Sequence, residues 1–227
     1  MVEITTELLD YPADGHETPG YLARPAGGTH PGVVVIQEWW GLMPHIKDVA
    51  ERFAREGFVA LAPDLYYGER ADEPDEARKL AMALDRERAV DEIVAAARYL
   101  QGMDGVAGEQ IGVVGWCMGG GLALSTAAES NLVGAVVAFY GRPLGDEDTA
   151  HMQAPVLGLY GEADQGIPVD DVRAFEQALR AHGVPHEVHI YPGAHHAFFN
   201  DTRQAYDAEA AQDAWQRTLA WFRQHLP

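Results

Sequence analysis

The chain has one cysteine, Cys117, among 227 residues. No intrachain disulfide can form, and a thiolate metal cluster is excluded. Lysine is almost missing: Lys47 and Lys79 are the only two. Lys and Arg together number 16 against 35 Asp and Glu, a formal charge of −19. That balance repels nucleic acid and anionic membrane surfaces, so neither is expected as a partner. Any anionic substrate would have to meet locally placed arginines. No apolar run approaches the ~20 residues of a membrane span. The opening MVEITTELLDYPADG lacks the basic-then-apolar pattern of a secretory signal. A cytoplasmic location is the expectation. Low-complexity linkers and internal repeats are missing as well, so residues 1–227 read as a single domain.

What is present is 47% hydrophobic and 22% charged, enough to bury a full core. Segments 3–11 and 19–24 alternate around the turn signal Pro12-Ala13-Asp14-Gly15 and predict an antiparallel hairpin. From residue 33 onward, apolar β-branched runs alternate with helical periodicity. Strands are expected at 33–36, 58–62, 110–114, 133–139, 155–160 and 186–191. Helices are expected at about 44–56, after Pro74, and at about 86–101, 118–129, 170–182 and 204–224. That alternation predicts an α/β fold with a mostly parallel, doubly wound sheet and the hairpin at its edge. In such a sheet, functional groups gather at the carboxyl ends of the strands.

The centre of the pattern is Ile111-Gly112-Val113-Val114-Gly115-Trp116-Cys117-Met118-Gly119-Gly120-Gly121. Gly115-Trp116-Cys117-Met118-Gly119 has the shape of the G-x-S-x-G nucleophile elbow, with sulfur in place of the hydroxyl. An elbow needs small residues two before and two after the nucleophile, so that strand and helix can approach. A buried, inert cysteine beside a glycine-rich turn has the same local sequence. A nucleotide-binding loop does not fit, because the G-x-G-x-x-G register is missing.

The other strand ends separate these readings. Glu38 follows the 33–36 strand, Asp164 follows the 155–160 strand, and His195 and His196 follow the last one. Nucleophile, acid and base thus occur in the chain order of the Ser–Asp–His elbow enzymes. The residues alone leave His195 and His196 both open as the base.

The chain resembles the dienelactone hydrolase family, also called carboxymethylenebutenolidases. The resemblance is carried by Gln37-Glu38-Trp39-Trp40-Gly41, Pro63-Asp64-Leu65-Tyr66, Gly112 to Gly120, Gly161-Glu162-Ala163-Asp164 and Ala194-His195-His196-Ala197-Phe198. It implies a single-domain α/β-hydrolase fold and hydrolysis of a lactone or small carboxylic ester through a thioester, with no metal and no cofactor. It implies Cys117 as nucleophile, Asp164 as its acid, and His196 as base, since the family histidine stands two residues before a phenylalanine, here Phe198. Glu38 is implied to contact the resting thiol and to take part in generating the thiolate. The oxyanion would meet the N–H groups of Met118, by the elbow logic, and of Trp39. Trp40 and Phe198 are expected to line an aromatic pocket.

Family members bind a substrate carboxylate with two arginines. One of those positions is Asn200 here, and Arg70 and Arg78 lie in the region of the other. Asn200 carries no charge, so a different lactone or a small ester is expected as substrate. The expected partners are that small molecule alone, with the protein a monomer or small homo-oligomer. A non-catalytic protein of the same fold, binding a small molecule or sensing redox through Cys117, is the alternative from another class.

Overall fold

The computed structural model describes residues 2–226. The strands are β1 (Ile4–Ala13), β2 (His16–Pro25), β3 (His30–Ile36), β4 (Val59–Pro63), β5 (Val106–Trp116), β6 (Val133–Phe139), β7 (Val156–Gly161) and β8 (His186–Tyr191). The helices are α1 (Pro44–Arg55), α2 (Pro74–Ala83), α3 (Arg86–Gln101), α4 (Met118–Glu129), α5 (Asp146–Thr149), α6 (Val169–Ala181) and α7 (Ala208–His225). They form one eight-stranded sheet in the order β1-β2-β4-β3-β5-β6-β7-β8. The strands from β4 through β8 run parallel, and β2 joins β4 antiparallel. This is the α/β-hydrolase architecture.

Successive side chains of a strand point to opposite faces, so a strand buried on both sides must be apolar throughout. In β3, Val33 and Val35 enter one core with α1 and α7, while Val34 and Ile36 enter the other with α3, α4 and α6. β5 divides the same way, with Val114 and Trp116 on the α1/α7 side and Ile111 and Val113 on the other. The first core is aromatic: Phe53 of α1 lies 4.6 Å from Trp215 and 6.0 Å from Phe222 of α7, ring to ring. Each fully buried ring of this kind contributes about 1.5–3 kcal/mol. The sheet is therefore clamped from both faces, and its strand ends are fixed in space.

Several boundaries differ from the sequence pattern. The hairpin is longer than expected and turns on Asp14-Gly15, with φ of 34° and 88°. α7 starts at Ala208 and not at 204, because Asp207 caps it: its side chain accepts from the N–H groups of Glu209 at 3.1 Å and Ala210 at 3.0 Å. The Asp207 N–H in turn donates to the Phe198 carbonyl at 2.9 Å, which folds residues 198–207 back over the sheet edge. The single-turn α5 has too few residues to show a period and was not expected.

Candidate active site

Parallel strands bring their carboxyl ends to one edge. Glu38 follows β3, Cys117 follows β5, Asp164 follows β7 and His196 follows β8. Cys117 sits between β5 and α4 with φ 56° and ψ −117°. A non-glycine residue stays in such a conformation only where its surroundings over-determine it. Here its N–H donates to the Phe139 carbonyl at 3.0 Å, and its own carbonyl accepts from Gly120 at 3.1 Å. The flanking glycines are required by contact. A Cβ on Gly115 would lie 2.0 Å from the Gly119 carbonyl oxygen, and one on Gly119 would lie 2.4 Å from that of Gln37. The second contact presses the start of α4 against the end of β3. Two further residues of this edge, Tyr140 at φ 37° and Ala197 at φ 64°, are strained in the same sense.

The His196 Nδ1–H donates to Asp164 Oδ2 at 2.6 Å. The other carboxylate oxygen accepts from the N–H groups of Gly166 at 2.8 Å and Ile167 at 3.0 Å. Burial pushes the Asp164 carboxyl up, but the His196 contact and the two amides outweigh it and hold it below the usual range. For His196, burial pulls down; the hydrogen bonds and charges of Asp164 and Cys117 override it and push the imidazole up to about 10. His195 is exposed, so of the two histidines His196 is the one that faces both the carboxylate and the thiol.

Glu38 is 4% exposed. Burial raises its carboxyl above the usual range, against the hydrogen bond from Asn200 and the charges of His196 and Arg203. Asn200 is buried beside it. Its Nδ2 donates to Glu38 Oε2 at 2.7 Å, while its Oδ1 accepts from the Thr202 N–H at 3.0 Å and hydroxyl at 2.6 Å. The amide is thereby oriented and committed to Glu38. Tyr140 is fully buried, its ring 4.9 Å from that of His196. Its hydroxyl lies close to Glu38 but off hydrogen-bonding geometry.

Trp39 and Trp40 are half-buried and meet edge to face at 5.2 Å. The Arg203 guanidinium stacks on Trp40, 3.9 Å from the ring centroid. Met118 opens α4, where a first-turn N–H has no intrahelical partner. Two expectations for the pocket are not met. Phe198 is fully buried in the α1/α7 core, against Phe139, Tyr140 and Tyr191. Arg78 lies on the exposed face of α2, 3.4 Å from Asp75, with its side chain 64% exposed. Arg203 was not singled out in the sequence; nothing in a local pattern marks a cation that reaches the site by stacking. Among the described residues no group of three or more His, Cys, Asp and Glu side chains could hold a metal ion. No described helix is long and apolar enough to cross a membrane.

Fold and strand-end residues together define a protein of the α/β-hydrolase class. The description of the Dienelactone hydrolase family matches residues 18–226, and the chain belongs to that family. A Yersinia pestis protein named provisionally as a carboxymethylenebutenolidase is 38% identical, over 94% of this chain and 86% of its own length. A solved Klebsiella pneumoniae structure, provisionally a dienelactone hydrolase, superposes with a TM-score of 0.91 at 35% identity, covering 98% of this chain and 99% of its own. A dienelactone hydrolase-like promiscuous phosphotriesterase, P91, from metagenomic libraries superposes with a TM-score of 0.90 at 26% identity, covering 99% of each chain.

Proposed function

We propose that this protein hydrolyses a lactone or small carboxylic ester through a thioester on Cys117. The observation that carries this reading is Cys117 in strained backbone, facing an imidazole that Asp164 orients at 2.6 Å and, with the sulfur, pushes above its ordinary value. The Cys117 thiolate adds to the carbonyl carbon, and the carbonyl π pair moves onto oxygen. When the tetrahedral species collapses, the C–O bond breaks and His196 gives its proton to the departing alkoxide. In a lactone that alkoxide stays tethered to the acyl group. The neutral imidazole then takes a proton from water as the water attacks the thioester, and sulfur leaves as thiolate. The Met118 and Trp39 N–H groups hold the oxyanion in both halves.

Glu38, buried, held by Asn200 and close enough to His196 for its charge to be felt, takes part in setting the protonation of the thiol–imidazole pair. With Asn200 donating to Glu38 and Arg78 exposed beside Asp75, the proposed substrate is a lactone or small ester other than dienelactone itself.

The test is direct. Rapid quenching with a chromogenic aryl ester should trap one acyl group on Cys117, visible by mass spectrometry. Cys117→Ala should lose turnover by roughly 10^3-fold or more. Wild-type-like turnover by the alanine variant would overturn the reading.

A further inference from the structure

The machinery above uses two backbone donors for the oxyanion. A third donor stands at the neighbouring strand end. Tyr66 lies just after β4, which pairs parallel with β3, and β3 pairs with β5. The residue is 7% exposed, and its hydroxyl donates to the Met118 Sδ at 3.4 Å. Met118 follows Cys117 directly. A buried phenol normally finds an oxygen acceptor, whereas a thioether is a weak one. The proton of Tyr66 is therefore poorly used in the free protein, at the side of the nucleophile.

The loop that carries it is rigid and tied to the other half of the oxyanion site. Asp64 accepts from the N–H groups of Tyr66 at 3.3 Å and Gly68 at 3.0 Å. The fully buried Gln37, next to Glu38, accepts from the Leu65 N–H at 3.3 Å. The Ala71 N–H donates to the Trp40 carbonyl at 3.1 Å. With the loop backbone held this way, only the phenol O–H has to turn when charge develops, which keeps the reorganisation that electrostatic stabilisation must avoid small.

We infer that the Tyr66 hydroxyl is a third oxyanion donor: it leaves the Met118 sulfur and donates to the substrate oxygen as the Cys117 Sγ–C bond forms. The tyrosine keeps its proton throughout. Burial and the nearby Cys117 charge both bind that proton more firmly than in a free phenol, which suits a donor that must not ionise. This role rests on the thioester reading given under Proposed function.

Tyr66→Phe keeps the ring and removes only the hydroxyl. Its kcat on an aryl ester should fall roughly 10- to 100-fold, with KM changed less than about twofold. An aryl trifluoromethyl ketone, which the thiol converts to a tetrahedral oxyanion, should lose affinity by the same factor. The product carboxylic acid should bind as before. A thionoester, whose developing charge rests on sulfur and accepts hydrogen bonds poorly, should show little penalty from the substitution. Equal losses for ketone and product, or an undiminished penalty on the thionoester, would mean that Tyr66 only shapes the pocket. Unchanged kcat and unchanged ketone affinity would overturn the role outright. Cys117→Ala separates the two levels: if it retains turnover the thioester reading fails, and if it is inactive while Tyr66→Phe behaves as wild type, only the tyrosine fails.

Discussion

Among the described residues two buried carboxylates pair with a histidine, in different surroundings. Asp164 and His196 meet at 2.6 Å, with the acid side chain fully buried and the imidazole 36% exposed. Glu92 and His16 meet at 3.0 Å, with exposures of 2% and 34%. Distance and burial hardly tell them apart. Their surroundings do. Asp164 satisfies its second oxygen with two amides of its own loop, and the ring it holds faces a thiol. The Oε1 of Glu92 takes His16, Arg88 at 2.8 Å and the Tyr67 hydroxyl together, from β2, α3 and the loop after β4. One pair ends a strand beside the Cys117 thiol; the other fastens the hairpin and a loop to the flank of α3. A carboxylate–histidine pair can serve nucleophilic chemistry only where its imidazole can take the proton of a group worth activating.

The sharpest break of this comparison is Asp164→Asn against Glu92→Ala. Asp164→Asn removes the acceptor that fixes the tautomer and the charge of His196. Turnover should fall roughly 10^3- to 10^4-fold. In the wild type, activity that needs protonated His196 should decline on the alkaline side near 10. In the variant that alkaline limb should move to lower pH, because the raising contact is gone. The same shifts set the sign for stability. His196, raised in the folded state, stabilises fully below its ordinary value and stops doing so as pH rises through about 10. Asp164, lowered in the folded state, stabilises above its ordinary value and ceases to on acidification. A pH–rate profile without an alkaline limb that responds to Asp164→Asn would contradict the pairing.

Glu92→Ala should do the opposite. It strips a buried hub from His16, Arg88 and Tyr67, so stability should drop by about 3 kcal/mol. For a chain of this size that is a melting point lower by roughly 6–12 °C. Turnover per folded molecule should stay within about threefold, because Tyr66 is held by Asp64 and not by Glu92. Calorimetry and active-site titration on one sample measure both, and a large loss of turnover with an unchanged melting point would erase the distinction drawn above.

A smaller effect is expected at Asn200→Ala. The substitution leaves the Glu38 carboxyl buried without its 2.7 Å donor. An unsatisfied group of that kind costs about 1–3 kcal/mol. The Asn200 contact lowers the Glu38 carboxyl, so its loss should raise that carboxyl further and keep it protonated to higher pH. Infrared difference spectra of the protonated carboxyl band across a pH titration would report the shift. A downward movement would mean that Asn200 does not donate to Glu38.

The contrast also shows what a sequence exposes. That Cys117, Asp164 and His196 share one sheet edge was legible because each sits within a few residues of a strand end, where turn glycines and apolar runs mark the position. The sheet and most helices were legible for the same reason, since period and punctuation are local. The choice between His195 and His196 needed the resemblance, because adjacent residues share every local signal. The partner of Glu38 was not legible. Asn200 lies 162 residues away, and its orientation depends on Thr202. Arg203 on Trp40, Tyr66 on Met118 and the Glu92 cluster are likewise contacts between distant segments. Phe198 lies in the core and not at a pocket wall, a difference a sequence does not carry, because an aromatic residue beside a strand-end histidine looks the same whether it faces a cavity or the core.

Arg78→Ala should have the smallest effect of all, and it tests the expectation that placed Arg78 in the substrate pocket. Its one ionic contact is with Asp75 at 3.4 Å, with side chains 64% and 83% exposed. Exposed pairs three residues apart on a helix contribute about 0.2–0.5 kcal/mol, and less in salt. Neither the melting point nor KM for a carboxylate-bearing ester should move measurably. Arg203 sits differently, stacked on Trp40 and close enough to Glu38 for its charge to be felt there. If Arg78→Ala raised KM for the charged ester while leaving a neutral ester alone, α2 would have to swing its exposed face toward Cys117 during turnover. The rigid edge described here would then be only one of two arrangements.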